Sequence, residues 1–375
     1  PAGVCRIDRL FHDLCMSPLP PAAPASSPAS AVSWADPARE RSFHAWLDSL
    51  EDLAPVSGSV RPASSDASFR RYLRIDTADG PRIVMDAPPS HEDCRPFVQV
   101  AGLLRSAGLH APEVLAWNEA EGFMLLSDLG STTYLQALAD QPEQAEPLYR
   151  DALAALVRLQ GIRAESEVPA YDRALLLREM QLFPEWYILR HRCITLSEKE
   201  QAVLERTFEH LLANALAQPA VLVHRDFHCR NLMVCGEPGA ATNPGVLDFQ
   251  DAVWGPITYD LVSLLRDAYV EWDETRQIDW AVRYWEGARR AGLPVHADFG
   301  EFWRDFEWMG LQRHMKVLGI FCRLCHRDGK DGYLKDLPLV WRHAHRVASR
   351  YREFAALAQL LEKVAGEERQ VGYTF

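Results

Sequence analysis

Long apolar runs are missing from this chain of 375 residues, and none approaches the roughly 18 consecutive apolar residues of a membrane-spanning helix. The amino end also lacks the basic segment followed by an apolar segment that is typical of a secretory signal peptide. These absences predict a protein of the cytoplasm that has no membrane partner.

The chain has few cysteines for a disulfide-stapled protein, and it has fewer positive than negative charges. The eight cysteines are scattered along a chain much longer than a disulfide-stapled module, which favours reduced thiols. The formal net charge is −12, whereas a protein that binds nucleic acid needs a basic surface to neutralise phosphates. We therefore expect no nucleic-acid partner, and no feature of the sequence indicates an obligate protein partner.

The amino-terminal segment has few residues that could build a core. Residues 17–31 are almost entirely Pro, Ala and Ser, a composition that buries too little apolar surface to offset the entropy lost on ordering. Residues 1–33 are therefore predicted to be a disordered lead.

Apolar periodicity divides the rest of the chain into a β-rich part and a helical part. Period-two patterns predict strands over 56–61, 69–75, 82–87, 113–117 and 122–127, with helices over 34–53 and 92–107. Helical periodicity then covers 144–162, 172–191, 197–216, 258–270, 274–291, 298–326 and 337–364. The sequence predicts an α+β fold with a small antiparallel-sheet N-lobe (34–130), a larger and mainly helical C-lobe (131–375) and a cleft between them.

One polar stretch interrupts the helical part, and it reads VLVHRDFHCRNLMV over 221–234, with GVLDFQDAVWG following over 245–255. Short apolar strands flank Asp226, Asn231 and Asp248. Phosphoryl transfer needs a base that accepts a hydroxyl proton and metal ions that neutralise phosphate charge. We expect Asp226 to be the catalytic base, and Asn231 and Asp248 to supply the hard oxygen ligands that Mg²⁺ prefers.

This spacing, an HxD followed by Asn five positions after the Asp and then by a second Asp, resembles the catalytic core of the protein-kinase-like superfamily. Only residues 249–257 separate Asp248 from the next predicted helix, which resembles the aminoglycoside phosphotransferase and choline kinase family. The resemblance implies a bilobal protein-kinase-like fold, ATP as phosphate donor and a small-molecule acceptor. It also implies structural support of the site by His224 and Asp260.

The N-lobe departs from the kinase pattern because the chain has no lysine before Lys199. Met85 stands where the family has its phosphate-binding Lys. A polar loop and the following arginines are the best substitutes, since hydroxyl, N–H and guanidinium groups can bind phosphate oxygens. The predicted nucleotide-binding residues are Ser64, Ser65, Ser68, Phe69, Arg70, Arg71, Met85 and, at a hinge-like turn, Ser127, Asp128 and Leu129.

A narrower resemblance rests on the runs SFRRYLR, IVMDAPP, EDCRPF, LFPEWY, HRDFHCRN, LDFQDAVWGPITYDLVSLLRD and GLQRHMKVLGIF. They look like the bacterial anomeric kinases of N-acetylmuramate and N-acetylglucosamine, and the Met in place of Lys belongs to that pattern. The resemblance implies phosphorylation of the C1 hydroxyl of these sugars in peptidoglycan recycling.

Charge supports an anionic acceptor. Residues 311–352 hold ten Lys or Arg and three Asp, a local charge of +7, so the rest of the chain carries −12 − 7 = −19. Such a field suits the carboxylate of N-acetylmuramate. The predicted substrate-binding residues are Glu179, Trp186, Arg230, Asp251, Trp254, Gln312 and Arg313.

Two other functions fit parts of the sequence. An aminoglycoside- or choline-type kinase would use the same chemistry but would line its cleft with carboxylates. A non-catalytic nucleotide-binding pseudokinase would explain the missing lysine, although it would not need an intact set of Asp226, Asn231 and Asp248.

Overall fold

The computed structural model describes residues 32–34, 36–50, 53–64 and 70–366, with the side chain of Ser64 excepted. The predicted disordered lead therefore lies outside the described residues, apart from Val32 and Ser33. Within the described ranges, no helix is both long enough and apolar enough to cross a membrane.

A five-stranded antiparallel sheet forms the first part of the fold, as predicted. Its strand order is β1-β2-β3-β5-β4. The strands are β1 (Arg61–Ser64), β2 (Arg71–Thr77), β3 (Gly80–Asp86), β4 (Val114–Asn118) and β5 (Phe123–Ser127).

Each face of the sheet is covered by one helix, because alternate strand residues point to opposite faces. Helix α1 (Pro37–Asp48) packs its buried Phe43 and Trp46 against one face, in a small core of its own. Helix α2 (Arg95–Ser106) packs against the other face, where Met85 and Met124 belong to the main core of the protein. The second face of the sheet is thus continuous with the core of the helical part.

The helical part begins after residue 130, which is where the sequence predicts a lobe boundary; the boundary itself stays a prediction. Helix α3, which the sequence analysis does not predict, opens this part. The helices are α3 (Tyr134–Asp140), α4 (Ala145–Gln160), α5 (Arg173–Met180), α6 (Glu198–Ala217), α7 (Tyr259–Leu265), α8 (Glu274–Arg290), α9 (Phe299–Asp328), α10 (Leu337–Arg350) and α11 (Ala355–Ala365).

Helix α9 is the central element of this part. Its side chain at Asp298 caps the amino end by accepting from the backbone N–H of Glu301, and Gly329 ends the helix with a left-handed φ of 68°. The helix contacts α6, α7, α10 and a π-helical segment, Phe183–His191. Arg313 and Lys316, both on its buried surface, are thereby brought to the centre of the molecule.

Two short antiparallel pairs carry the polar stretch between the helices. Strand β6 (Ala220–Val223) pairs with β9 (Val253–Pro256), and β7 (Leu232–Met233) pairs with β8 (Gly245–Val246). Their side chains are nearly all buried, which agrees with the predicted apolar flanks. The β6–β7 loop and the β8–β9 loop therefore start and end on fixed supports.

Several predicted elements differ from the structure. The helix over 258–270 ends early, because α7 covers only Tyr259–Leu265. The strand over 56–61 is wrong, because β1 covers Arg61–Ser64 and, within residues 53–60, only a single bridge at Pro55 precedes it. The single helix over 172–191 is wrong, because α5 ends at Met180 and a π-helical segment follows. The helix over 337–364 is broken near Tyr351, which has extended backbone, into α10 and α11.

Candidate active site

The loop after β6 is fixed by a buried carboxylate on α7. Asp260 accepts hydrogen bonds from the backbone N–H groups of His224 (2.6 Å) and Arg225 (2.9 Å). The side chain of Asp260 is fully buried. Burial raises its pKa to about 7, although the two N–H groups favour the charged form and lower the pKa. The predicted supporting residues His224 and Asp260 are thus joined directly, through the main chain of one and the side chain of the other.

Two non-glycine residues of the site have left-handed backbone. Arg225 has a φ of 76° and Asp248 a φ of 63°. Such conformations are uncommon outside glycine and persist where the surroundings hold them, often at functional sites. Each one turns the chain sharply, beside Asp226 in one loop and at Asp248 itself in the other.

The side chain of Asn231 connects the two loops. Its amide nitrogen donates to the backbone oxygen of Asp226 (3.0 Å) and to Oδ2 of Asp248 (3.1 Å). The other carboxylate oxygen of Asp248 accepts from the amide of Gln250 at 2.8 Å. The structure therefore brings together the three residues predicted to form the catalytic base and the metal ligands.

Asp226 lies in a strongly cationic environment. Its Oδ1 is 3.4 Å from the guanidinium of Arg313 and 4.0 Å from Nε2 of His228, and its side chain keeps 39% exposure. Burial would raise the pKa of Asp226, but the charges of Arg313 and Lys316 outweigh it and hold the pKa below its usual range. Asp226 is accordingly ionised across the physiological pH range and can accept a hydrogen bond.

The two histidines of the loop are neutral at physiological pH. Burial lowers the pKa of His224 to about 4 and that of His228 to about 3. The ring of His228 contacts the ring of Tyr269 edge-on, with centroids 5.4 Å apart. His228 therefore contributes a neutral polar edge, rather than a charge, beside Asp226.

Glu179 occupies a buried ion network, and only 6% of it is exposed. Its carboxylate pairs with Lys316 (3.0 Å) and with Arg225, and it accepts from the hydroxyl of Tyr171. Burial opposes its charge, yet Lys316 and Arg225 keep the pKa of Glu179 below its usual value. Glu179, which is predicted to bond sugar hydroxyls, thus fixes Arg225 and through it the β6–β7 loop.

Arg313 was also predicted to bind substrate, and it is 5% exposed. Its guanidinium donates to the backbone oxygen of Arg225 (2.7 Å) and to the hydroxyl of Tyr259 (3.0 Å), besides its contact with Asp226. The side chain is therefore both a brace of the loop and a charge directly beside the candidate base.

The other predicted substrate-binding residues are less closely grouped. Trp254 is half-buried on β9 opposite Leu222, and Asp251 is exposed and joined to Arg225 only through its backbone oxygen. Trp186 is half-buried beneath the guanidinium of Arg190, 4.5 Å from the ring centroid.

Gln312 is 1% exposed, and no described residue hydrogen-bonds either end of its amide. Arg230 is exposed, and its guanidinium lies over two tyrosine rings. The contacts of all these residues with a substrate stay predictions.

The position expected for the phosphate-binding lysine is inaccessible. Met85 is fully buried on β3, paired in register with Tyr72 and Met124. The next residue, Asp86, is also buried and binds the guanidinium groups of Arg39 and Arg71. A charged side chain at residue 85 would have to reach through the core, so the cation for a nucleotide must come from elsewhere.

Arg70, unlike the predicted nucleotide-binding residue Arg71, is not bound to Asp86. It pairs with Glu92 at 3.0 Å, just before α2, and both side chains are more than four-fifths buried. Of the predicted polar loop, Ser65, Ser68 and Phe69 lie outside the described residues, as does the side chain of Ser64. Arg70 thus joins the start of β2 to the segment that leads into α2.

The hinge-like turn after β5 is tied to the sheet. Ser127 accepts from the backbone N–H of Glu113 (2.9 Å), and Asp128 pairs with Arg74 at 2.6 Å. The backbone oxygen of Leu129 accepts from the thiol of Cys235 at 3.2 Å. These bonds join the end of the sheet to the hairpin that follows the β6–β7 loop.

Several residues of the site carry no signal that single-sequence reasoning could use. Arg225 and Lys316 act through contacts between distant segments, and Gln250 acts through an amide contact with Asp248, two residues before it. His228 had a weak signal, because it lies two residues beyond Asp226 in the quoted stretch. The short spacing between Asp226 and His228 is visible in the sequence, whereas the proximity of Lys316 to Asp226 is not.

Oxygen donors and their number decide which metal would fit. Among the described residues, no three His, Cys, Asp or Glu side chains come together as a metal site. Asn231 and Asp248 instead offer an amide and a carboxylate, a hard-oxygen pair that leaves most of an octahedral shell to water and phosphate. This donor set fits Mg²⁺, which keeps several waters and binds through few protein ligands.

Comparison with known proteins agrees with this geometry. Residues 59–299 match the model of the phosphotransferase enzyme family. The N-acetylmuramate/N-acetylglucosamine kinase of Pseudomonas aeruginosa is 48% identical over 334 residues, which cover 87% of this chain and 97% of that protein. The kinase of the same name from Neisseria meningitidis is 48% identical and covers 84% and 93%.

Solved structures share the fold at low identity. The GDP complex of aminoglycoside 2′-phosphotransferase-IIIa superposes with a TM-score of 0.57 at 14% identity, covering 84% of this chain and 99% of that one. The ADP-bound aminoglycoside phosphotransferase APH(2″)-Ib gives 0.53 at 17% identity, covering 80% and 96%. The predicted α+β kinase-like fold is therefore confirmed. The family model covers well over half of the chain, and the chain belongs to the phosphotransferase enzyme family.

Proposed function

We propose that this phosphotransferase is an ATP- and Mg²⁺-dependent kinase that phosphorylates the C1 hydroxyl of N-acetylmuramate and N-acetylglucosamine, as in cell-wall sugar recycling. The choice of sugars rests on the relatives of that name, which match at 48% identity over nearly their whole length. The assignment of chemistry rests on one observation, the meeting of Asp226, Asn231 and Asp248 around a single amide.

Asp226 acts as the base that orients the acceptor hydroxyl. It is ionised, partly exposed and held by Arg313, so its carboxylate can accept the hydroxyl proton as the oxygen attacks phosphorus. Its low pKa makes it a weak base, and positioning of the hydroxyl is then its larger contribution. This agrees with phosphoryl transfer, in which orientation and charge stabilisation supply most of the rate enhancement.

Asn231 and Asp248 would hold the metal. When bound, Mg²⁺ supplies neutralisation of the charge on the nucleotide phosphate oxygens. The amide nitrogen of Asn231 already bonds Asp226 and Asp248, and its oxygen takes part in neither bond. The two ligands are thus preorganised by the same loop contacts that position the base.

Arg70 would take the place of the missing lysine. Its pairing with Glu92 parallels the Lys–Glu ion pair that kinases use to hold phosphates. A guanidinium can bind phosphate oxygens through two parallel hydrogen bonds. Because Met85 is buried, Arg70 is the cation of the predicted set that is best supported for this role.

The electrostatics of the site favour this function over an aminoglycoside- or choline-type kinase. The cations next to Asp226 are Arg225, Arg313 and Lys316, and the nearby carboxylate of Glu179 is neutralised by two of them. A polycationic acceptor would be repelled there. The assembled base and metal ligands likewise count against a pseudokinase.

The test is ADP release with Mg²⁺-ATP and a panel of N-acetylmuramate, N-acetylglucosamine, kanamycin and choline. We expect turnover of the two sugars, and no turnover of any compound would leave the pseudokinase. Asp226→Asn should lower kcat by about 100-fold or more while preserving stabilisation by nucleotide in a thermal melt. Asp279→Asn, on the exposed surface of α8, is the matched control. An Asp226→Asn variant with normal kcat would refute the assigned base.

The remaining predictions concern location and partners. A cytoplasmic site of action and the absence of nucleic-acid, membrane and obligate protein partners stay predictions. They are consistent with a sugar kinase that needs only small molecules.

A further inference from the structure

Arg230 is a cation of the catalytic loop that has no carboxylate bound to it. Within residues 70–366, no Asp or Glu forms an ion pair with its guanidinium. Asp336 is near enough for Arg230 to lower its pKa, which burial raises, yet the two groups are not paired. The side chain of Arg230 is exposed, so its charge faces solvent.

Two tyrosine rings hold this guanidinium in place. It lies 4.9 Å from the ring centroid of Tyr269 and 5.5 Å from that of Tyr333. Both rings pack on Phe321, which fixes them to α9. Arg230 is therefore preorganised by cation–π contacts, which lowers the entropy cost of binding an anion.

A short series of contacts connects Arg230 to the candidate base. His228 is 4.0 Å from Asp226, its ring contacts Tyr269, and Tyr269 lies under Arg230. The charge of Arg230 also reaches His228 directly, since it helps to lower the pKa of that ring. Arg230 thus lies one layer of side chains outward from the atom that would meet the acceptor hydroxyl.

The other cations of the site are already committed to protein groups. Arg225 and Lys316 bind Glu179, and Arg313 binds Asp226 and the backbone oxygen of Arg225. Their charges hold the loop and the base. An anionic group of the acceptor, entering from solvent, would meet Arg230, whose guanidinium hydrogen-bonds to Tyr269 and Tyr333 and keeps further N–H donors for a carboxylate.

We propose that Arg230 is a specificity-determining residue that binds the carboxylate of N-acetylmuramate, the group that N-acetylglucosamine lacks. This inference rests on the proposed function. Binding at Arg230 would leave the C1 hydroxyl directed to Asp226, with the rings of Tyr269 and His228 between the two anchoring points. N-acetylglucosamine would bind without this contact, through the groups that the two sugars share.

The test compares two sugars on one pair of enzymes. Arg230→Gln removes the charge and keeps a polar side chain, and we expect kcat/KM for N-acetylmuramate to fall by roughly 10- to 100-fold, mainly through KM. The value for N-acetylglucosamine should change by less than about 3-fold. The methyl ester of N-acetylmuramate, which has the same bulk without the charge, should be as insensitive to the substitution as N-acetylglucosamine.

Arg276→Gln is the matched control. Arg276, on α8, is also exposed, and its guanidinium also lies over two aromatic rings, those of Trp272 and Trp280. It should leave the ratio of the two sugars unchanged. Equal losses on both sugars in Arg230→Gln, or no loss on either, would overturn the inference. A wild-type enzyme inactive on both sugars would instead overturn the proposed function and the inference with it.

Discussion

At the scale of single residues, the replacement of a lysine by Met85 decides where the nucleotide can find a cation. The side chain is buried between neighbouring strands, and Asp86 beside it neutralises Arg39 and Arg71. Arg70 differs from these arginines because its partner, Glu92, lies at the start of the segment leading to α2. The pair formed by Arg70 and Glu92 is the one that we propose in place of the family's lysine and its carboxylate partner.

Substitution of Arg70 should therefore weaken the binding of the nucleotide and leave the binding of the sugar unchanged. We expect Arg70→Gln to raise the KM for ATP by roughly 10-fold, because a charge-assisted contact with phosphate is lost. The KM for the sugar should stay within about 2-fold. Steady-state kinetics with each substrate varied in turn would measure both values.

Arg82→Gln is the control on the neighbouring strand, where the arginine contacts only carbonyl groups of its own turn. An Arg70→Gln enzyme with an unchanged KM for ATP would assign phosphate binding to another group.

A residue could be assigned from the sequence when its partners lie close to it along the chain, and could not when its partners are distant. Asp226, Asn231 and Asp248 could be named from sequence because their spacing within one interrupted segment is itself the signal. Glu179 is predicted from the sequence to bond sugar hydroxyls, but its partners Arg225 and Lys316 come from other elements. No local pattern reveals that two distant cations will bury a carboxylate.

At the scale of elements, α9 and the π-helical segment pack at unusually close range. A Cβ atom at Gly319 would lie 2.4 Å from the backbone carbon of Leu182 and 2.5 Å from its oxygen. Backbone atoms cannot move aside as the end of a side chain can. The absence of a side chain at residue 319 thus sets how closely Phe183–His191 approaches the helix that carries Arg313 and Lys316.

Gly319→Ala should destabilise the protein by at least about 2 kcal/mol, the cost typical of overpacking a core. Gly310→Ala on the same helix is the control, because its nearest neighbours would be 3.7 Å away. There the better helix propensity of alanine should stabilise by up to about 1 kcal/mol. Urea unfolding of both variants measures the two signs, and equal stability of the two would contradict the close contact.

Elements with strong periodicity were predicted well, and interrupted ones were not. The sequence pattern for α9 differs from the structure by only a residue or two at either end. The π-helical segment continues the apolar spacing of α5, so periodicity alone joined them into one helix. The exact place of β1 depends on its pairing with β2, which is a contact outside the strand itself.

At the scale of the whole molecule, several histidines are buried in uncharged form. Burial lowers the pKa of His224 to about 4 and that of His228 and of His314 to about 3. It also lowers the pKa of His343 well below its usual value. In the unfolded chain each would regain a pKa near 6.5.

This difference predicts loss of stability in mild acid. Below pH 6.5 the unfolded state binds protons that the folded state cannot, so the free energy of unfolding falls as the pH drops toward 4. Each such histidine contributes a slope of up to about 1.4 kcal/mol per pH unit. We expect the urea midpoint to fall steeply between pH 7 and pH 5, and the decline should be less steep in His343→Gln if that variant folds.

The raised pKa of Asp260 opposes only part of this effect, so a midpoint that stays constant over that range would show that these rings are not buried in neutral form.

The two-lobed plan was also accessible from sequence, because a change from period-two to helical spacing divides the chain. The sequence does not show that one main core runs through both parts. This core extends from Met85 and Met124 on the sheet to the helices of the second part. Core continuity depends on which face of the sheet is covered, and both faces carry apolar residues.

Asp260 holds the catalytic loop only through backbone N–H groups. Main-chain donors are present at every position except proline, so this attachment makes no demand on side-chain identity. Exposed members of the loop, Arg230 among them, are consequently free to vary while the chain path stays constant. A common scaffold can in this way acquire new acceptors by changing one surface residue at a time.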